Sequence, residues 1–121
     1  MINYFWPVIL LCAALFEVAG DASSRKGLEG EGFWYRVIGF VMLGTYGILV
    51  NLLKWDFSKL LGTYVAFFAL VSVWWGVHYR NDKFGHSTVI GLALIVIGGC
   101  FISWSEIKLW FYSLLNLLHR P

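Results

Sequence analysis

A chain of 121 residues that is 60% hydrophobic and 19% aromatic, with only 13% charged residues and a mean hydropathy of +0.73, is far too apolar for a soluble domain of this size. At about 20 apolar residues per helical span, the length accommodates about four spans with short connections and excludes a sizeable soluble domain. The small net charge of +2 gives no basic stripe of the kind that binds nucleic acid.

Four runs fit that measure, at about residues 4–23, 34–53, 60–79 and 87–104, and a tail of 105–121 follows. They are long and continuous, unlike the short alternating segments of a membrane β-barrel. The expected fold is therefore an all-α integral membrane protein: a four-transmembrane-helix bundle over residues 1–104 with a C-terminal amphipathic helix. The first run has no basic region before it and no polar domain after it, and it reads as a retained span.

The apolar course from Phe5 to Ala22 is interrupted by Glu17, with Asp21 one helical turn later. A carboxylate near the middle of a span is costly, so its default reading is a functional site facing protein or water. Ala13, Glu17, Gly20, Asp21 and Ser24 recur at spacings of three or four and line one helical face. Small residues there admit a neighbouring helix or leave room for a ligand. The low dielectric penalises the charged form, which suits Glu17 to exchanging protons. Arg36 is the one Lys or Arg within a predicted span, and it sits near the membrane boundary, from which only an extended side chain reaches inward. Asp21 lies nearer the polar connection, where a solvated helix end explains it as well.

The connection at 24–33 holds Arg25, Lys26, Glu29, Glu31 and three glycines, a composition that belongs in water or headgroups. The connections at 54–59 and 80–86 are short and rich in charge, implying tight antiparallel hairpins. On the third span, Tyr64, Phe68, Ser72 and Trp75 stack along one side. Ring faces opposite a carboxylate suit an organic cation, although packing or lipid contact accounts for the same stripe. On the fourth span, Gly91, Ile95 and Gly98 share a face that permits close helix packing, within the chain or between two copies. Cys12 and Cys100 fall inside spans, where cysteine behaves as a small apolar residue.

The tail places Ile107, Trp110, Phe111, Leu114, Leu115 and Leu118 on one helical side against Ser105, Lys108, Tyr112, Asn116 and His119. It reads as a helix lying in the lipid interface, a face that a partner protein would cover equally well. With four spans, the N-terminal side carries Lys54, Lys59, Lys108 and Arg120, against Arg25, Lys26, Arg36, Arg80 and Lys83 on the other. So even a distribution sets no orientation and allows opposite copies to pair as an antiparallel homodimer. There is no phosphate-binding glycine loop, no clustered set of metal ligands and no nucleophile–base arrangement. The expectation is a non-enzyme without metal or cofactor.

The first-span Leu15-Phe16-Glu17-Val18, the Gly62-Thr63-Tyr64-Val65-Ala66-Phe67-Phe68 opening of the third span and the Gly91/Gly98 pair together resemble the small multidrug resistance family, four-helix members of the drug/metabolite transporter superfamily. The resemblance covers nearly everything before the tail. It implies a proton-coupled exporter of organic cations or guanidinium compounds, working as an antiparallel dual-topology homodimer in a bacterial inner membrane. It also makes Glu17 the shared proton and substrate site, and Gly91 and Gly98 the dimer contact. The chain departs from the family by carrying Val65 and Phe68 where a Tyr and a Trp are usual, with Tyr64 one place earlier. Leu70-Val71-Ser72 replaces the glycine pair that bends the third span, Asp21 is acidic where the drug exporters are generally uncharged, and the tail is longer.

Three functions compete at this point. The first is proton-coupled transport of a small cationic or polar compound through Glu17 in a dimer. The second is a flippase subunit for a lipid-linked substrate, toward which the long tail and the missing Trp lean. The third is an accessory subunit whose acidic residues meet basic groups on a larger membrane partner.

Overall fold

The apolar runs become five α-helices in a computed structural model that describes residues 4–120: α1 (Trp6–Leu28), α2 (Phe33–Val50), α3 (Phe57–Tyr79), α4 (His86–Ile102) and α5 (Trp104–Leu118). The first three residues of the expected membrane domain and Pro121 at the end of the expected tail lie outside the described residues. No strand occurs among the described residues. Helices α1, α2 and α3 are each long and apolar enough to cross a membrane, and α4 with α5, bent by 74°, makes a fourth candidate.

Local chemistry sets the helix ends. Pro7 sits in the opening positions of α1, where its missing N–H has no intrahelical partner to lose. Helix α1 continues to Leu28, beyond the expected end near residue 23, with Arg25 and Lys26 in its last turn. Cations there complement the negative end of the helix dipole. The expected connection of 24–33 shrinks accordingly, and Gly30 and Gly32 turn the chain at φ of 91° and 137°, a region that favours glycine. After α3, Asn81 adopts φ of 58° and the Asp82 N–H donates to the Gly76 carbonyl at 2.9 Å. The Asp82 carboxylate lies against Gly76 where a Cβ would stand.

Helix α1 packs against both α2 and α3, and α3 carries α4. The α1–α2 contact is made through glycines. A Cβ on Gly39 would meet the Gly20 carbonyl oxygen at 2.8 Å and the Ser24 nitrogen at 3.0 Å, and one on Gly27 would meet the Arg36 nitrogen at 2.9 Å. Trp6, Leu10, Ala13, Ala14 and Val18 of α1 form the core with Leu60, Tyr64 and Val71 of α3. Many outward side chains are apolar, Phe40 and Phe101 being 80% and 76% exposed. Hydrocarbon tails are as apolar as these side chains, so a bilayer accepts them.

The turn into α5 lies at Ser103, which is buried and whose hydroxyl donates to the Gly99 carbonyl at 2.8 Å. Helix α5 then folds back onto the bundle. Lys59 donates to Glu106 at 2.7 Å and to Ser105 at 2.8 Å, and the Trp110 indole donates to the Tyr4 carbonyl at 3.0 Å. The apolar side expected of the tail is consequently divided: Ile107 and Trp110 pack on the core, while Phe111, Leu115 and Leu118 stay exposed.

The α1–α2 contact predicts that Gly39→Ala destabilises the protein by about 1–3 kcal/mol, the usual cost of overpacking. Gly44→Ala, with nothing within 4 Å of the new methyl, should be neutral or gain roughly 0.5–1 kcal/mol. Reversible unfolding in mixed micelles measures both.

Candidate functional site

The buried side of α1, carrying Trp6, Leu10, Ala13, Ala14 and Val18, also carries Glu17, because residues three and four apart share a helical face. Glu17 is partly buried. The Tyr64 phenol, itself buried in α3, donates a hydrogen bond to Glu17 Oε2. The Tyr64 ring lies against Tyr46 of α2, with centroids 5.2 Å apart and planes 27° from parallel, and against Phe68 at 6.3 Å. A carboxyl group, a phenol and ring faces from two further side chains therefore meet where three helices converge.

Of the residues singled out from sequence, the structure brings Glu17, Tyr64 and Phe68 together. Asp21 stands exposed one turn beyond Glu17 on α1. The Ser72 hydroxyl donates to the Ala69 carbonyl of its own helix at 3.0 Å. Trp75 lies farther along α3 against Tyr79, at 4.8 Å between centroids. Gly20 and Ser24, from the small face of α1, are occupied by α2. Gly91 and Gly98 have nothing within 4 Å of their Cβ positions, and Ile95 is exposed beside them. Packing within the chain instead uses Gly99, whose Cβ would stand 2.7 Å from that of Ala66.

Tyr46 was missed by the sequence reading. Its signal was a phenol in an otherwise apolar span, flanked by Gly44 and Gly47, but periodicity along one helix does not reveal which residue of another it will meet. Among the described residues, the ion pairs are Lys59–Glu106 and Arg80–Glu29, and Glu17 belongs to neither. The described residues hold no cluster of three or more potential metal ligands. Chemically, the arrangement offers a proton acceptor with one phenolic partner and π faces that attract a cation when both are desolvated.

These features define a small all-helical membrane protein with an ionisable group inside its helix bundle. Comparison with known proteins makes the assignment specific: the chain belongs to the UPF0060 family of membrane proteins. It is 30% identical over 102 residues to a member from Desulfitobacterium hafniense, covering 81% of this chain and 93% of the relative. It is 33% identical over 96 residues to one from Clostridium beijerinckii, covering 74% and 78%, and 26% identical over 98 residues to one from Herpetosiphon aurantiacus. The shared name describes residence in a membrane and no activity. No family model matches the chain, and no solved structure matches it.

Removal of the phenolic donor by Tyr64→Phe is expected to cost about 1.5–3 kcal/mol, the range for a hydrogen bond to a charged group. Comparing the unfolding of this variant with that of Glu17→Gln, alone and combined, measures the coupling. Additive losses would show that the two side chains do not support each other.

Proposed function

We propose that the protein is a proton-coupled transporter of a small cationic or polar organic compound, working with four spans per chain as a homodimer in a bacterial plasma membrane, and not an enzyme. The observation that carries this reading is Glu17, set on the inner side of α1 against the Tyr64 phenol and outside both ion pairs of the described residues. A proton and a cation compete for such a carboxylate, and this competition couples their movements. The stacked Tyr46 and Tyr64 rings add π faces for an organic cation. The resemblance to the small multidrug resistance family supports the same assignment. So does the open glycine face of α4, which suits a second helix in lipid.

A second reading, a flippase subunit for a lipid-linked substrate, draws support from a wide groove between α5 and the start of α1. This groove has a volume of about 820 Å³ and is lined by Phe5, Leu109 and Leu117 together with Tyr4, Ser113 and Arg120.

Purified protein in mild detergent should release protons when a transported cation is added, and Glu17→Gln should abolish both the release and coupled uptake in proteoliposomes. Full coupled transport by Glu17→Gln overturns the proposal. Gly98→Leu should leave the helical content unchanged and abolish cross-linking between copies; a variant that cross-links like the parent places the dimer contact elsewhere.

A further inference from the structure

At the end of the bundle away from α5, α1, α2 and the end of α3 frame a pocket of about 290 Å³ that Glu17 does not line. Its polar lining includes Ser23 and Lys26 of α1 and Arg80 just after α3, and its ring-bearing walls are Tyr35 of α2 and Trp75 and Tyr79 of α3. The Lys26 ammonium sits 5.6 Å from the Tyr35 ring centroid, and the Trp75 and Tyr79 rings are 4.8 Å apart.

Among the described residues, Arg80 makes one ion pair, through Nη2 with Glu29 at 3.4 Å. Most of the five N–H donors of its guanidinium therefore remain for another acceptor. Two cations against one carboxylate leave the pocket mouth positive. Lys26, Tyr35, Tyr79 and Arg80 come from the ends of α1 and α3 and the first turn of α2, where the apolar runs give way to polar connections, whereas Ala19 and Met42 line the pocket farther into the bundle. The mouth of the pocket thus lies at headgroup depth, with aromatic rings leading from its cations toward the hydrocarbon. An anion carried on an apolar body matches that gradient.

We propose that this pocket binds the phosphate headgroup of an anionic phospholipid. Lys26 and Arg80 would hold the phosphate oxygens, and the Trp75–Tyr79 wall would receive the glycerol region. Basic pockets between membrane helices are suited to such headgroups. At about 30 Å³ for one water in the liquid, the volume holds roughly ten waters' worth of ligand, enough for a phosphodiester with its glycerol. The inference rests on this pocket alone and is independent of the transport reading.

Native mass spectrometry of the purified protein in mild detergent tests it, with phosphatidylglycerol, phosphatidylcholine and glycerol 3-phosphate added separately. Phosphatidylglycerol should be retained over phosphatidylcholine, and Lys26→Gln and Arg80→Gln should each lower its retention about fivefold, as expected for one basic group near an anionic surface. Glu29→Gln, which removes the competing carboxylate, should retain at least as much, and Glu17→Gln should change nothing. Equal retention of the two lipids overturns the proposal, as does unchanged retention in both basic variants. Equally strong capture of glycerol 3-phosphate also overturns it, by showing a site for free anions. Lys26 is exposed, so Lys26→Gln decides the matter if Arg80→Gln fails to fold.

Discussion

The rest of the structure depends on the close approach of α1 and α2. Helices in hydrocarbon gain no hydrophobic driving force from associating, and contact has to come from backbones brought near enough for van der Waals packing. Gly20 and Gly27 of α1 and Gly39 of α2 provide that proximity, each leaving no space for a methyl group without displacing a neighbour. Because the contact is made by backbone, it fixes the position of α2 along and around α1 more tightly than flexible side chains would. This registration presents Tyr46 to Tyr64. Glu17 supplies the third member from the face of α1 that looks toward α3.

Glu17 is held by one phenol. A hydrogen bond to a charged group contributes about 1.5–3 kcal/mol, against roughly 2.5–3.5 kcal/mol for a charged residue at the centre of a span on insertion scales. In the proposed transport, a bound proton or cation offsets what the phenol leaves unmet. Arg36 of the neighbouring α2 lies against Gly27, near the end of α1; a Lys or Arg opposite Glu17 itself would satisfy the carboxylate permanently. In the proposed transport, the aromatic neighbours stabilise a cation without neutralising the carboxylate, which keeps the site responsive to what binds it.

Much of the helical architecture was legible because hydrocarbon thickness sets helix length, and Glu17 was legible because an ionisable group contrasts with the otherwise apolar course from Phe5 to Gly20. What stayed hidden were relations between helices. The small face of α1 was visible, but whether it met a ligand or a helix depended on Gly39, which no pattern within α2 distinguished from Gly44 or Gly47. Tyr46 was invisible for the same reason. The end of α1 was misplaced because Ser24 to Lys26 read as a polar loop, whereas polar residues with cations toward the C-terminus extend a helix into the headgroup region. The amphipathic pattern of the tail was plain, but its return onto the bundle needed Lys59, forty-seven residues from Glu106.

Gly91 and Gly98 of α4 have open Cβ positions, as do Gly44 and Gly47 of α2. Glycine within a helix is less favourable than alanine by about 0.8–1.0 kcal/mol, a cost that close packing normally offsets. Gly99 has that return through Ala66 of α3, and Gly62 through Ile102 at 2.9 Å from its Cβ position. Gly91 and Gly98 have none within the chain, and acyl chains pack no better against glycine than against leucine. Helix α4 thus bears two helix-weakening residues on a face bordered by the exposed Ile90, Leu94 and Ile95. A second helix closing on that face would restore the missing contacts, so the proposed dimer along α4 would use the same physics that joins α1 to α2.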